Sequence, residues 1–137
     1  MTAELPAGAG AIGRIMGKTA AEAYETLSGM YGPDMAMEVL NIGHIWERPA
    51  LTRRERSFVA IAALVAMGTK DRLRIHIQGA LNHGATAAEI EEVILTMMIY
   101  AGHGRATEAI EVAREVLKAA EADAVAGPAR AGSPPAD

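Results

Sequence analysis

The residues in this sequence with chemistry to offer are four histidines and a cluster of arginines. Imidazole is the side chain best suited to carry a proton near neutral pH. His76 borders the stripe Leu73, Ile77, Ala80 and Leu81, which a helix would bury. There it is either a proton carrier or a structural histidine bonded to a carbonyl. His83 comes seven residues later, on a similar face, and immediately precedes Gly84. A cationic imidazole at a helix end complements the dipole, so His83 reads as a capping residue. His103 follows Gly102 in an expected loop, where functional groups concentrate. Thr96, Tyr100 and His103 fall at i, i+4 and i+7, forming one polar line provided the helix continues.

Arg48, Arg53, Arg54 and Arg56 surround the start of one expected helix, a place where stability alone would favour acids. Exposed amides with guanidinium groups make an anion site that suits a small carboxylate. The alternative is a set of ion pairs with Glu47, Glu55 and other acids. Arg72 lies one turn before His76 and brings a further cation to it. No close histidine pair has zinc-ligand spacing, so no metal is expected. The glycines of residues 8–13 follow no strand and do not read as a phosphate loop. Lys18, Lys70 and Lys118 lie among polar neighbours, which argues against a Schiff-base lysine.

The elements that must position these groups are helical. Thr19–Glu22, Thr52–Glu55 and Thr86–Glu89 each fit a capping box, and each opens an apolar periodic stretch. Gly32, Gly68, Gly84 and Gly102 sit where helices should stop, and Pro33 can open the next one. This punctuation predicts six helices, at about 19–31, 33–46, 52–67, 70–83, 86–101 and 104–123. Residues 1–18 read as an N-terminal extension, 19–125 as one helical domain and 126–137 as a disordered, Pro- and Gly-containing tail. The helices from Thr52 and Thr86 are apolar around most of their circumference, which predicts burial on all sides. A chain of 137 residues has little material to surround both, so self-association is expected to complete their burial.

Half the residues are hydrophobic and 22% are charged, as in a globular protein. The net charge of −4 argues against a general nucleic-acid binder. No apolar run has the length of a membrane span, and the first twenty residues do not read as a signal peptide. There is no cysteine, which removes disulfides, thiol chemistry and thiolate metal sites and is compatible with the cytoplasm.

The run from Gly43 through Ser57, then His76 through Thr86, Glu89 through Val93 and Tyr100-Ala101-Gly102 resemble the carboxymuconolactone decarboxylase family. The resemblance covers roughly residues 35–117. It implies an all-α, alkylhydroperoxidase-like bundle, built as an obligate homotrimer or homohexamer. The peroxidase branch carries Cys-x-x-Cys-x-x-x-His; its cysteine positions fall on Thr69 and Arg72 here, and its relay glutamate on Ser57. His76 is kept and the thiols are absent, so a thiol-free branch is implied. The family often has His at the position of Thr96, and Gly-x-Pro where this chain has Gly102-His103-Gly104.

The resemblance implies a cofactor-independent decarboxylase acting on a small unsaturated carboxylate or lactone. His76 and His103 are the acid–base candidates. Arg56 and Arg72 are the anion holders, Trp46 and Tyr100 the pocket walls, and Ser57 and His44 further substrate contacts. The alternatives are an isomerase or cyclase using the same proton transfer, and a non-catalytic oligomer that binds a small molecule.

Overall fold

The computed structural model describes residues 4–127. Among them every regular element is helical. The chain forms two compact units, of which residues 4–53 and 54–127 are described. The greater part of the expected disordered tail, residues 128–137, lies outside the described residues.

The first unit holds α1 (Ala9–Met16), α2 (Ala20–Tyr31), α3 (Pro33–Ile42) and a 3-10 turn, Gly43–Glu47. Thr19 and Glu22 close the expected capping box on α2. Gly32, at a φ of +86°, separates α2 from Pro33, the first residue of α3. The core is small-residue packing: Ala9, Ala23, Leu27, Ala36 and Leu40, flanked by Ile12, Met16 and Tyr24.

Two expectations are corrected in this unit. The glycine run in the supposed extension forms α1, a helix additional to the six expected. Its glycines allow backbone to lie on backbone, because a Cβ on Gly8 would fall on Leu40 and His44, and one on Gly43 would fall on Gly8. That close seat supplies the burial which outweighs the poor helix propensity of glycine. The expected helix 33–46 also stops early, as α3 at Ile42, and tightens into the 3-10 turn. Glu47 ends that turn and pairs with Arg14 at 2.6 Å and Arg53 at 2.9 Å. Burial opposes the charge on Glu47, but the two guanidinium groups outweigh it and hold the carboxyl below its ordinary range.

The second unit holds α4 (Arg53–Met67, which begins at the unit boundary), α5 (Lys70–Asn82), α6 (Ala87–Tyr100) and α7 (His103–Ala126). Gly68, Gly84 and Gly102 all adopt positive φ between them, as helix-stopping residues must. The capping box of α6, Thr86 with Glu89, is formed. Ser57, Ile61 and Val65 make the buried stripe of α4, at the i, i+4, i+8 spacing of one helix face. They belong to a core with Leu73, Ile77 and Ala80 of α5, Ile90 and Ile94 of α6, and Ala109, Val112 and Ala113 of α7. Arg74 ties α5 to α7 through Glu115 at 3.1 Å.

The all-round burial expected for α4 and α6 is not met within one chain. Val59 and Met67 of α4 are exposed, and on α6 Ile99 is 80% exposed and Tyr100 77%. Each helix buries one stripe in its own unit and leaves a second apolar face on the surface.

Candidate functional site

α5 carries two of the four histidines on one strip. His76 lies between Leu73 and Ile77, both buried, and its own ring is half-buried. Burial disfavours the imidazolium, and the Arg72 guanidinium one turn away repels it further. Both push the His76 pKa below its ordinary 6.5. The border position inferred from the spacing is where the structure places this ring, and Arg72 acts on it as its spacing suggests.

His83 is the C-cap of α5, and its backbone N–H donates to the carbonyls of Gly79 at 3.0 Å and Ala80 at 3.1 Å. Its ring does more than face the helix end. Nδ1 lies 2.8 Å from Oγ of Ser57, across the α4–α5 contact. Ser57 is 1% exposed and is the one polar member of the buried stripe of α4. A hydroxyl at such a position needs a partner, because an unsatisfied buried polar group costs about 1–3 kcal/mol. Sequence reasoning placed Ser57 among substrate contacts and His83 at a helix end without connecting them. The available signal was a serine in register with Ile61 and Val65.

The arginines divide. Arg53 pairs with Glu47. Arg54 pairs with Glu89, the same carboxylate that caps α6, and its guanidinium lies 5.3 Å from the Phe58 ring centroid. For these two, ion pairing describes the surroundings better than an open anion site. Arg56, half-buried, precedes Ser57 on α4, while Arg72 is exposed on α5.

The expected line Thr96–Tyr100–His103 is broken. α6 stops at Tyr100, and Gly102 at a φ of +94° turns the chain into α7, whose first residue is His103. His103 is therefore exposed at a helix start rather than in a loop. The Thr96 hydroxyl donates back to the Glu92 carbonyl at 2.8 Å, which satisfies it within α6. His44 and Trp46 belong to the 3-10 turn of the first unit. His44 is exposed and donates from Nδ1 to the Asn41 carbonyl at 2.9 Å, and Trp46 is half-buried.

Among the described residues no group of three or more His, Cys, Asp or Glu side chains is arranged to hold a metal ion. No helix among them is long and apolar enough to cross a membrane.

Residues 36–115 match the family model described as the carboxymuconolactone decarboxylase family. The chain is similar to a 4-carboxymuconolactone decarboxylase of Acinetobacter baylyi, with 43% identity over 76 residues, 56% of this chain and 57% of the relative. It is also similar to a nitrosuccinic acid decarboxylase of Metarhizium robertsii, with 32% identity over 75 residues, 55% of this chain and 52% of the relative. The chain thus spans little more than half the length of each of these relatives.

Proposed function

The chain belongs to the carboxymuconolactone decarboxylase family, and from that membership we propose that it is a cofactor-independent decarboxylase of a small unsaturated carboxylate or lactone. Two relatives named for decarboxylation of different small acids support the reaction class more than any one substrate. The observation that carries the reading is the half-buried His76 one turn from Arg72.

Arg72 and Arg56 hold the substrate carboxylate. The bond to that carboxylate breaks, CO2 leaves, and the electron pair moves into a conjugated carbonyl to form an enolate-type anion. The His76 imidazolium gives its proton to carbon and regains one from water, so each turnover consumes one proton. Without substrate, burial and then Arg72 disfavour the charged form of His76. A bound anion offsets the Arg72 charge and draws a proton onto the ring, so the acid is formed when there is substrate to protonate. Tyr100 acts as a wall and His103 as the second acid–base candidate.

The test is CO2 release from 4-carboxymuconolactone and from nitrosuccinate, run in deuterated water. Stoichiometric CO2 with one deuterium in the product is expected. Deuterium incorporation without CO2 would identify an isomerase instead. The apolar faces left by Val59, Met67, Ile99 and Tyr100 support a homotrimer or homohexamer. Light scattering should give three or six times the chain mass, and a stable monomer at micromolar concentration would refute it.

A further inference from the structure

The second half of α7 is left largely uncovered by its own unit. Ala109, Val112 and Ala113 are buried in the core, but residues 121–126 are all exposed, and Val125 is 84% exposed. Ile110, Arg114, Leu117, Lys118, Glu121 and Val125 fall at i, i+4, i+7, i+8, i+11 and i+15, which is one face of a helix. A groove of about 710 Å³ runs along this face, lined by Leu81, Ala87 and Leu117 together with Arg114, Lys118 and Glu121. A cavity of about 190 Å³ adjoins it, lined by Leu95 and Ile110 and sharing Arg114 with the groove. Glu115 of the same helix pairs with Arg74, whereas Arg114, Lys118 and Glu121 have no ion pair among the described residues.

The order of these residues indicates what covers them. Ile110 and Val125 are both apolar, Arg114 and Glu121 are opposite in charge, and the two pairs share one midpoint, between Leu117 and Lys118. Two copies of α7 packed antiparallel about a two-fold axis through that midpoint set Arg114 opposite the partner's Glu121 on both sides of the axis. They also set Ile110 opposite the partner's Val125, which then enters the cavity beside Leu95. The apolar stem of Lys118 lies over the partner's Leu117. A parallel pair or a three-fold bundle of the same helices would instead set Arg114 against Arg114 and Glu121 against Glu121, and such like-charge contacts are unfavourable. A self-complementary pattern within one helix is what an isologous contact requires.

We propose that this face of α7 is a two-fold interface with a second copy of the chain, the last turns of each α7 lying in the groove of the other. The proposal rests on the self-association reading above and makes it specific. A two-fold contact added to three-fold contacts through other apolar faces gives six chains rather than three.

The chain has no cysteine, so introduced thiols report on this contact alone. Arg114→Cys and Glu121→Cys, coexpressed and oxidised, should form a 114–121 disulfide between chains, identified by peptide mass spectrometry. Neither variant alone should cross-link. Identical positions lie about 10 Å apart along the axis, beyond the roughly 7 Å that a disulfide allows between Cα atoms. By light scattering the wild type should have six times the chain mass and Arg114→Glu half of that. The double variant Arg114→Glu/Glu121→Arg should return to six, because the exchanged charges again face their opposites. Val125→Asp changes an exposed residue and should also halve the mass, with an unchanged circular dichroism spectrum. A wild-type trimer or monomer, or cross-linking of identical positions in place of the mixed disulfide, would overturn the proposal. So would a six-chain assembly that Arg114→Glu leaves intact, which would mean that residues 128–137 or another protein fill the groove. A wild-type dimer with the mixed disulfide would uphold this interface and refute the three-fold reading, so the two fail separately.

Discussion

The two ends of the α5 strip hold the same side chain in opposite circumstances. His76 sits beside a cation and against apolar neighbours, with its charged form disfavoured by burial and by Arg72. His83 is tethered to a buried hydroxyl on another helix. One helix face thus presents a ring whose charged form is disfavoured by its surroundings, and a ring hydrogen-bonded to a buried serine. Helical spacing delivers both to the same side, and their contacts across the helix boundary divide their chemistry.

Replacing His76 is the most direct way to break this division. His76→Gln preserves much of the shape but cannot titrate, and turnover should fall roughly 10²–10⁴-fold in a protein that remains folded. Steady-state kinetics with circular dichroism checks both parts, and near-normal turnover would move the proton carrier to His103. Arg72→Ala is the next largest change. It should raise KM about tenfold, equivalent to roughly 1.4 kcal/mol for one lost anion contact. The same variant should raise the His76 pKa, because a repelling charge is gone, and NMR titration of the ring reads that directly.

Thr86→Ala provides a contrast on a polar pair that serves structure alone. It removes the α6 capping box, and should lower stability by about 1 kcal/mol while leaving kcat unchanged. Urea unfolding and an activity assay together separate the two effects. The smallest expected signal is a slope. Folding holds the His76 pKa below 6.5, so below that pH the unfolded chain binds more protons than the folded one. The stability linked to His76 is therefore fully present above pH 6.5, and is lost as pH falls through the folded value. His76→Gln should flatten that part of the unfolding free energy between pH 7.5 and 5, measured by urea titration at each pH.

The same contrast shows what could be read without the fold. The helices from Thr19 and Thr86 open on the capping boxes expected of them, and Gly32, Gly68, Gly84 and Gly102 stop helices where expected. The position of His76 beside a buried stripe and within reach of Arg72 was equally legible. All of these features depend on interactions within about four residues. The glycines of α1 misled because their purpose is a backbone seat on Leu40 and Gly43, some thirty residues away. The Thr96–Tyr100–His103 line failed because Gly102 ends the helical register before His103 enters α7.

By itself the sequence determined that the chain is helical, roughly where its helices begin and end, and which face of α5 carries the imidazoles, since caps, left-handed glycines and the 3.6-residue period are local physics. Tertiary structure alone decided which arginines are tied up by Glu47 and Glu89, that glycine-rich residues near the start become a packed helix, and that Ser57 meets a ring 26 positions away. Those outcomes depend on which surfaces come together and how much water they exclude, and burial of that kind sets hydrogen-bond partners and proton affinities that no single stretch of chain contains.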